Sequence, residues 1–234
     1  AAGWPPRPDE RAAATARRAG REGRAFGSGG RDRARHASAG PRPSGPRAGG
    51  VGAGAGALLL RRGWPRNHVL GSHLITDGSM SKHVIVPASG TVQHPTDAVV
   101  AQGDFKFRLV EPEAMKARLG EVSIANWLEC VDRALVNSGE KADGTPYTRK
   151  DIDFFNMSLV KPSAHREMLE HLGLREDQSV YMSSTGHIGE QDAIINIEAG
   201  VEQGRLKPGD TMAIIAAGIG YVWGGAIVEW GPPK

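Results

Sequence analysis

Cysteine, aromatic residues and long apolar runs are all scarce in this chain of 234 residues. The single cysteine, Cys130, excludes an internal disulfide framework and is typical of a reducing compartment, so we expect a cytoplasmic protein. The longest apolar run, near residues 57–60, is far shorter than the roughly 18–20 residues of a membrane-spanning helix. We therefore expect no membrane span, and no signal peptide because the N-terminus lacks an apolar segment. The eight histidines are scattered without a zinc-binding spacing, so we predict no metal site.

Residues 1–50 contain no leucine, isoleucine, valine or lysine. They hold eleven arginines and four acidic residues, a net charge of +7, and because the whole chain carries +3, residues 51–234 carry −4. Such a segment cannot bury enough apolar surface to offset its ordering entropy, so we expect disorder.

The origin of this arginine-rich segment has two interpretations. Its Arg, Ala, Gly and Pro composition is what a GC-rich gene gives in the wrong reading frame, and we hypothesise such an artefact for residues 1–50. The alternative is an arginine-rich tail that binds nucleic acid. Only Trp4 and Phe26 interrupt it with aromatic rings, and the acidic remainder has no basic patch, so we expect no nucleic-acid partner.

From residue 51 onwards, predicted strands alternate with predicted helices, which favours an α/β layered fold. The predicted helices cover residues 113–137, 162–172 and from about 190 to 203, with Ser163 as the N-cap and Gly173 as the end of the second. The predicted strands cover residues 57–60 (buried), 69–75, 84–86, 105–109 (half-buried), 152–160, 180–183, 212–216 and 226–230, with a glycine-rich link over 217–225 between the last two.

The longest predicted helix has an apolar stripe of Ile124, Trp127, Leu128, Val131 and Leu135. Cys130 lies off this stripe, in the middle of the helix. No helix N-terminus lies nearby to lower its pKa, so we interpret it as an ordinary helix cysteine and not as a nucleophile.

The segment 185-TGHIGEQDAI-194 places His187 between two glycines, at a strand-to-helix turn, with Asp192 just inside the helix. A carboxylate beside a histidine can fix its tautomer for proton transfer. The other interpretation is a tight glycine turn followed by an acid that the helix dipole favours.

Three segments resemble the 3-oxoacyl-acyl-carrier-protein synthase III family of the thiolase-like superfamily. They are 52-GAGAGALLL-60, 73-HLITDGS-79 and 204-GRLKPGDTMAIIAAGIGYVWGGAIVEW-230. The resemblance implies a thiolase-like layered fold of two duplicated halves, in which residues 51–110 are the end of the N-terminal half and residues 111–234 are the C-terminal domain.

The resemblance also implies acyl transfer through a cysteine thioester, assisted by a histidine and an asparagine. His165, in 162-PSAHREML-169, lies where the family's histidine motif belongs, and His187 stands at the place of the asparagine. The family therefore suggests His165 as base, His187 as a donor to the oxyanion and Asp192 as the residue that orients either histidine. These motifs are similar to those of a divergent branch of the family, which transfers acyl groups to carbon or oxygen in secondary metabolism. The alternatives are that His165 is a solvent-facing helix histidine and that the glycines beside His187 only form a tight turn.

Family position further suggests that the backbone near Gly218 and Gly220 approaches the substrate, although hairpin geometry alone would also explain these glycines. Arg166 could contact a carrier-protein phosphate, and a solvated helix face is the interpretation that we favour for it. The resemblance implies acyl-CoA or acyl-carrier-protein thioesters as substrates, no bound cofactor, and a homodimer. The family's nucleophilic cysteine has no counterpart here, so we expect an inactive chain; the alternative is a non-catalytic chain that packs onto a partner.

Overall fold

The computed structural model describes residues 54–183 and 185–232, and the predictions for residues 1–50 lie outside this range. Four strands form one mixed sheet in the order β1–β6–β5–β4, and two short strands pair separately. In chain order the strands are β1 His68–Thr76, β2 Val84–Ile85, β3 Arg108–Leu109, β4 Phe154–Met157, β5 Thr211–Gly218 and β6 Val222–Glu229. Strand β6 is antiparallel to both β1 and β5, whereas β4 and β5 are parallel.

Within the described residues, four α-helices accompany these strands: α1 Asp97–Gln102, α2 Pro112–Asn137, α3 Pro162–Leu172 and α4 Asp192–Glu202. Short 3₁₀ turns occur at Gly78–Met80, Arg149–Asp151, Glu176–Gln178 and Gly189–Gln191. The mixture of strands and helices confirms the predicted α/β class. Helix α3 ends at Gly173, whose φ of 72° is the left-handed conformation that glycine favours, as the sequence predicted.

Two apolar clusters stabilise the sheet. The alternation of side chains along β4 sends Phe155 into the cluster that contains α2, and Phe154 into the cluster beside α4. Helix α2 contributes Trp127, Val131 and Leu135 to the first cluster, and α4 contributes Ile197 to the second. Helices α2 and α4 therefore pack into different apolar clusters, and α4 is the helix that begins at Asp192.

Two glycines allow α2 to approach the sheet closely. A Cβ atom on Gly71 of β1 would overlap the carbonyl oxygen of Ala134, and one on Gly225 of β6 would lie 3.0 Å from the backbone of Cys130. Larger side chains at either position would force the helix away from the strands.

The predicted strand at residues 57–60 is wrong. These residues have no regular secondary structure, and Leu59 and Leu60 are 95% and 81% exposed. The predicted half-buried strand at residues 105–109 is also largely wrong, because only Arg108–Leu109 pair and Phe107 is 77% exposed. The apolar run at residues 57–60 and the alternating pattern at residues 105–109 both indicate burial, but no neighbouring element within the described residues covers these exposed side chains.

Smaller corrections concern element ends. Residues 180–183 do not form a strand, since a single bridge joins Ser179 to Phe155. Lys161, and not Ser163, is the N-cap of α3, with Pro162 as its first residue. Strands β5 and β6 extend into the predicted link, so only residues 219–221 connect them.

Cys130 does not lie off the buried face of α2, as the sequence suggested. It is fully buried between that helix and β6.

Candidate functional site

The carboxylate of Asp192 organises the turn that opens α4. It is completely buried and accepts three hydrogen bonds. The backbone N–H of Leu159 donates to Oδ2 over 2.8 Å, that of Ile188 donates to Oδ1 over 2.9 Å, and His187 Nδ1 lies 2.6 Å from Oδ2. A buried carboxylate with this many donors is held rigidly, and it joins the loop after β4 to the start of α4.

The hydrogen bond to Asp192 fixes the tautomer of His187. Ionised carboxylates only accept hydrogen bonds, so Nδ1 of His187 carries the proton and donates it to Asp192. Nε2 is then the unprotonated nitrogen of the neutral ring. The side chain is 43% exposed, whereas that of Asp192 is buried. The pair therefore presents a fixed imidazole base at the surface, the arrangement used for general-base catalysis.

Local sequence explains this turn. Gly186 and Gly189 have φ values of 71° and 82°, which side chains adopt only with strain. These glycines let the chain reverse on both sides of His187, and the 3₁₀ turn Gly189–Gln191 leads directly into α4. Asp192 stands in the first turn of that helix, where the dipole favours a negative charge.

Sequence reasoning missed a further ionisable group near the pair. Partial burial raises the pKa of the Glu190 carboxyl, the neighbouring His187 acts in the opposite direction, and the charge of Asp192 raises it further. The only sequence signal for Glu190 is its position within the same short turn.

His165 lies in a different environment. The residue is only 6% exposed, and its Nε2 is 3.1 Å from Oγ of Ser179. Because the hydroxyl of Ser179 donates its one proton to the carbonyl of Phe155 over 2.7 Å, Oγ accepts from Nε2–H of His165. Burial lowers the pKa of His165, which keeps the ring neutral. Its ring also packs edge-on against Tyr181, with centroids 5.3 Å apart.

The structure joins His187 to Asp192 but does not join His165 to either. Within residues 54–183 and 185–232, no hydrogen bond links His165 to that pair. Of the two histidines suggested as partners of Asp192, the geometry therefore favours His187. The catalytic roles suggested for all three residues stay predictions.

The residues suggested for substrate binding lie in two places. Arg166 lines a surface cleft beside His165. Gly218 is the last residue of β5, and Gly220 lies in the loop between β5 and β6. That loop is fixed to Asp77 by two backbone hydrogen bonds, in which Tyr221 N–H donates over 2.8 Å and Asp77 N–H donates over 2.9 Å.

Cys130 is unsuited to nucleophilic attack. It is buried in the middle of α2, and its thiol donates to the carbonyl of Trp223 over 3.5 Å. Burial raises the pKa of this thiol to about 11, so almost none of it is thiolate at neutral pH. The interpretation of Cys130 as an ordinary helix cysteine fits this environment.

The described residues contain neither a metal-binding cluster nor a membrane-spanning helix. The described part of the chain brings together no three His, Cys, Asp or Glu residues in a way that could hold a metal ion. None of the helices in residues 54–183 and 185–232 has the length and apolarity to cross a bilayer.

Comparison with known proteins agrees with the resemblance read from the motifs. Residues 143–230 match the family model of the 3-oxoacyl-[acyl-carrier-protein] synthase III C-terminal domain. The β-ketoacyl-[acyl-carrier-protein] synthase III of Syntrophomonas wolfei is 27% identical over 188 residues, which are 77% of this chain and 51% of the relative. That of Thermosynechococcus vestitus is 26% identical over 184 residues, with 76% and 51% covered. The chain thus spans about half the length of the curated relatives that it matches.

Solved structures show the same fold. The 3-oxoacyl-(acyl carrier protein) synthase III of Pseudomonas aeruginosa PAO1 superposes with a TM-score of 0.53 at 18% identity, covering 71% of this chain and 45% of that one. The synthase III of Thermus thermophilus gives 0.54 at 17% identity, covering 74% and 49%. The described part of the chain therefore has a thiolase-like fold, and the chain is similar to 3-oxoacyl-[acyl-carrier-protein] synthase III proteins, whose C-terminal domain model matches residues 143–230.

Proposed function

We propose that this chain supplies the histidine and carboxylate side of an acyl-transfer site of the synthase III type. The observation that supports the proposal is the 2.6 Å contact between His187 Nδ1 and the buried Asp192, which leaves Nε2 as a fixed base. The relatives are named as β-ketoacyl-[acyl-carrier-protein] synthases, so acyl thioesters of CoA or of an acyl-carrier protein are the proposed donors.

In the proposed reaction, Nε2 of His187 accepts the proton of the attacking thiol or hydroxyl as the acyl carbon is attacked. Asp192 stabilises the imidazolium that forms, and the proton then passes to the departing thiolate of the donor. The backbone around Gly218 and Gly220 is the proposed neighbour of the acyl group. The acyl group then passes to a hydroxyl, whose proton Nε2 takes, or to a carbon that attacks as a carbanion after loss of a proton or of CO₂, in fatty-acid or secondary-metabolite synthesis.

We propose that the nucleophile for the first step comes from outside this chain. Cys130 is the only cysteine in the sequence, and it is buried with a pKa raised to about 11. We infer that the chain alone forms no acyl-enzyme, and that it works with a second polypeptide in the cytoplasm. A homodimer, as the family resemblance implies, is part of this proposal.

The histidine can be tested without that second polypeptide, because an oriented imidazole also attacks activated esters. The chain should release p-nitrophenol from p-nitrophenyl acetate, and His187→Gln should lose most of this activity. His171→Gln, at an exposed histidine near the end of α3, is the matched control and should not change it. Equal rates for both variants and the unmodified chain would contradict the role of His187.

Intact-mass spectrometry after incubation with acetyl-CoA tests the missing nucleophile. We expect no acetyl adduct on Cys130. A stoichiometric adduct at that residue would overturn the inference that the nucleophile comes from elsewhere.

A second candidate function is non-catalytic packing onto a full-length relative. The exposed Leu58, Leu59 and Leu60, which are 54%, 95% and 81% accessible, favour it because exposed apolar runs often mark interfaces. Light scattering of a mixture with the full-length relative tests this candidate: if the complex persists with a Leu59→Ser and Leu60→Ser double variant, these leucines are not the contact.

A further inference from the structure

The cleft that contains His165 has no assigned ligand. It has a volume of about 550 Å³, within the roughly 300–1,000 Å³ range of small-molecule sites. Neither His187 nor Asp192 belongs to its lining, so it is distinct from the site proposed above. The lining residues are Pro162, His165, Arg166, Leu169, Glu176, Asp177, Val180, Tyr181, Gln203 and Arg205.

A single buried acceptor lies at the floor of this cleft. Nε2–H of His165 is committed to Ser179, so Nδ1 of the neutral ring carries the free lone pair. Nδ1 has no hydrogen-bond partner among the described residues, yet it is not one of the side-chain atoms sealed from solvent. Since the residue is 94% buried and its ring lines the cleft, the cleft is the side from which water or a ligand donor can reach Nδ1.

The floor is also rigid. Nη1 of Arg205 donates to the carbonyls of Ser179 and Glu176, over 2.5 and 3.0 Å. The hydroxyl of Tyr181 donates to the carbonyl of Val160 over 2.9 Å. These bonds hold the segment behind His165 in place, so a ligand meets a prepared surface.

The rim of the cleft favours a negative charge. Arg205 is held by neutral carbonyls, and Arg166 makes no ion pair within the described residues. Of the two carboxylates, Asp177 is paired with Arg175 at 3.0 Å, which leaves Glu176 as the opposing charge. Two guanidinium groups against one free carboxylate give a net positive rim, and a guanidinium binds a carboxylate well.

We propose that this cleft binds a small hydroxy carboxylate, with its carboxylate at Arg166 and its hydroxyl donating to Nδ1 of His165. The carbon skeleton lies against Leu169 and Val180. An ammonium group could also donate to Nδ1, but the positive rim disfavours it. The proposal gives His165 and Arg166 a role other than the base and carrier-protein contact that the family resemblance suggests, and it uses neither His187 nor Asp192.

Binding of 3-hydroxybutyrate to the full chain, followed by ¹H–¹⁵N NMR titration, tests both contacts. Butyrate lacks the hydroxyl and methyl 3-hydroxybutyrate lacks the charge, so each removes one proposed interaction. We expect each to bind about 5- to 10-fold more weakly, the usual effect of one lost hydrogen bond. Equal affinity of butyrate and 3-hydroxybutyrate would overturn the role of Nδ1, and shifts confined to other parts of the chain would overturn the site.

Variants give a second readout. Arg166→Gln should weaken binding of 3-hydroxybutyrate about 5- to 10-fold, because a charged partner is lost. Arg133→Gln, at an exposed arginine of α2 that pairs only with Glu129, is the matched control and should bind like the unmodified chain. An Arg166→Gln variant of unchanged affinity would refute the carboxylate contact. His187→Gln should bind normally; if it does not, the ligand occupies the acyl-transfer site and the proposal is wrong.

Discussion

The carboxylate of Asp192 should contribute more to stability than its place in a helix first turn implies. Asp192→Ala removes the acceptor of three hydrogen bonds and leaves the backbone N–H groups of Leu159 and Ile188 without a partner. An unpaired buried donor costs about 1–3 kcal/mol. Both groups are only partly buried, so we expect the free energy of unfolding to fall by about 2–4 kcal/mol in total, a large share of a typical 5–15 kcal/mol.

Two further variants separate this effect from helix capping. Asp192→Asn keeps one acceptor oxygen but turns an NH₂ group towards a donor, so it should cost about half as much. Asp97→Ala changes an exposed acid in the first turn of α1, where the dipole alone is lost, and should cost about 0.5 kcal/mol or less.

Urea unfolding followed by circular dichroism measures all three. Comparable losses for Asp192→Ala and Asp97→Ala would refute the reasoning, because the buried carboxylate would then contribute no more than an exposed one. A large loss for Asp192→Ala that Asp192→Asn fully restores would instead show that shape, and not charge, is what the site requires.

Three other predictions concern His165, Cys130 and two glycines. Burial lowers the pKa of His165 in the folded chain, so the unfolded chain takes up the proton first as the pH falls. The free energy of unfolding should therefore fall as the pH drops below about 6.5. Urea titrations at several pH values measure this dependence on pH, which His165→Gln should reduce. Cys130, buried with a pKa of about 11, should resist iodoacetamide in the native chain at pH 7.5 and react in urea, as mass spectrometry would show; rapid native labelling would contradict its burial. Gly71→Ala should cost about 1–3 kcal/mol by overlap with Ala134, whereas Gly120→Ala, in open space on α2, should stabilise by about 0.5–1 kcal/mol; thermal melts that rank the two the other way would disprove the close approach.

The elements best anticipated from sequence are those with a long periodic pattern. Helix α2 was predicted at residues 113–137 and runs over Pro112–Asn137, because three of the five residues in its apolar stripe pack into one core and the other two lie partly buried against it. Residues 57–60 have the same apolar character but no covering element within the described chain, so composition alone misplaced them in a core. Periodicity reports which side chains need burial, and cannot show what buries them.

The candidate site was anticipated in part. The Gly-His-x-Gly spacing identified the turn, and the five-residue separation brought Asp192 back to His187. The tautomer of His187 could not be inferred, since it depends on the hydrogen bond itself. The separate environment of His165 depends on Ser179, fourteen residues away, for which no local pattern gives a signal.

The close approach of α2 also fixes its position along the sheet. Gly71 receives the backbone at Ala134 and Gly225 receives it at Cys130, four residues earlier on the helix. These two contact points lie one helical turn apart, so they permit only one alignment of the helix on the strands. A shift of one residue would turn the helix by about 100° and bring side chains against the strands. The two glycines therefore fix the position of α2 along the sheet. The distance from its second turn, where Arg118 contacts Asp77 at 3.3 Å, to the loop that Asp77 fixes is consequently set by the absence of side chains at Gly71 and Gly225.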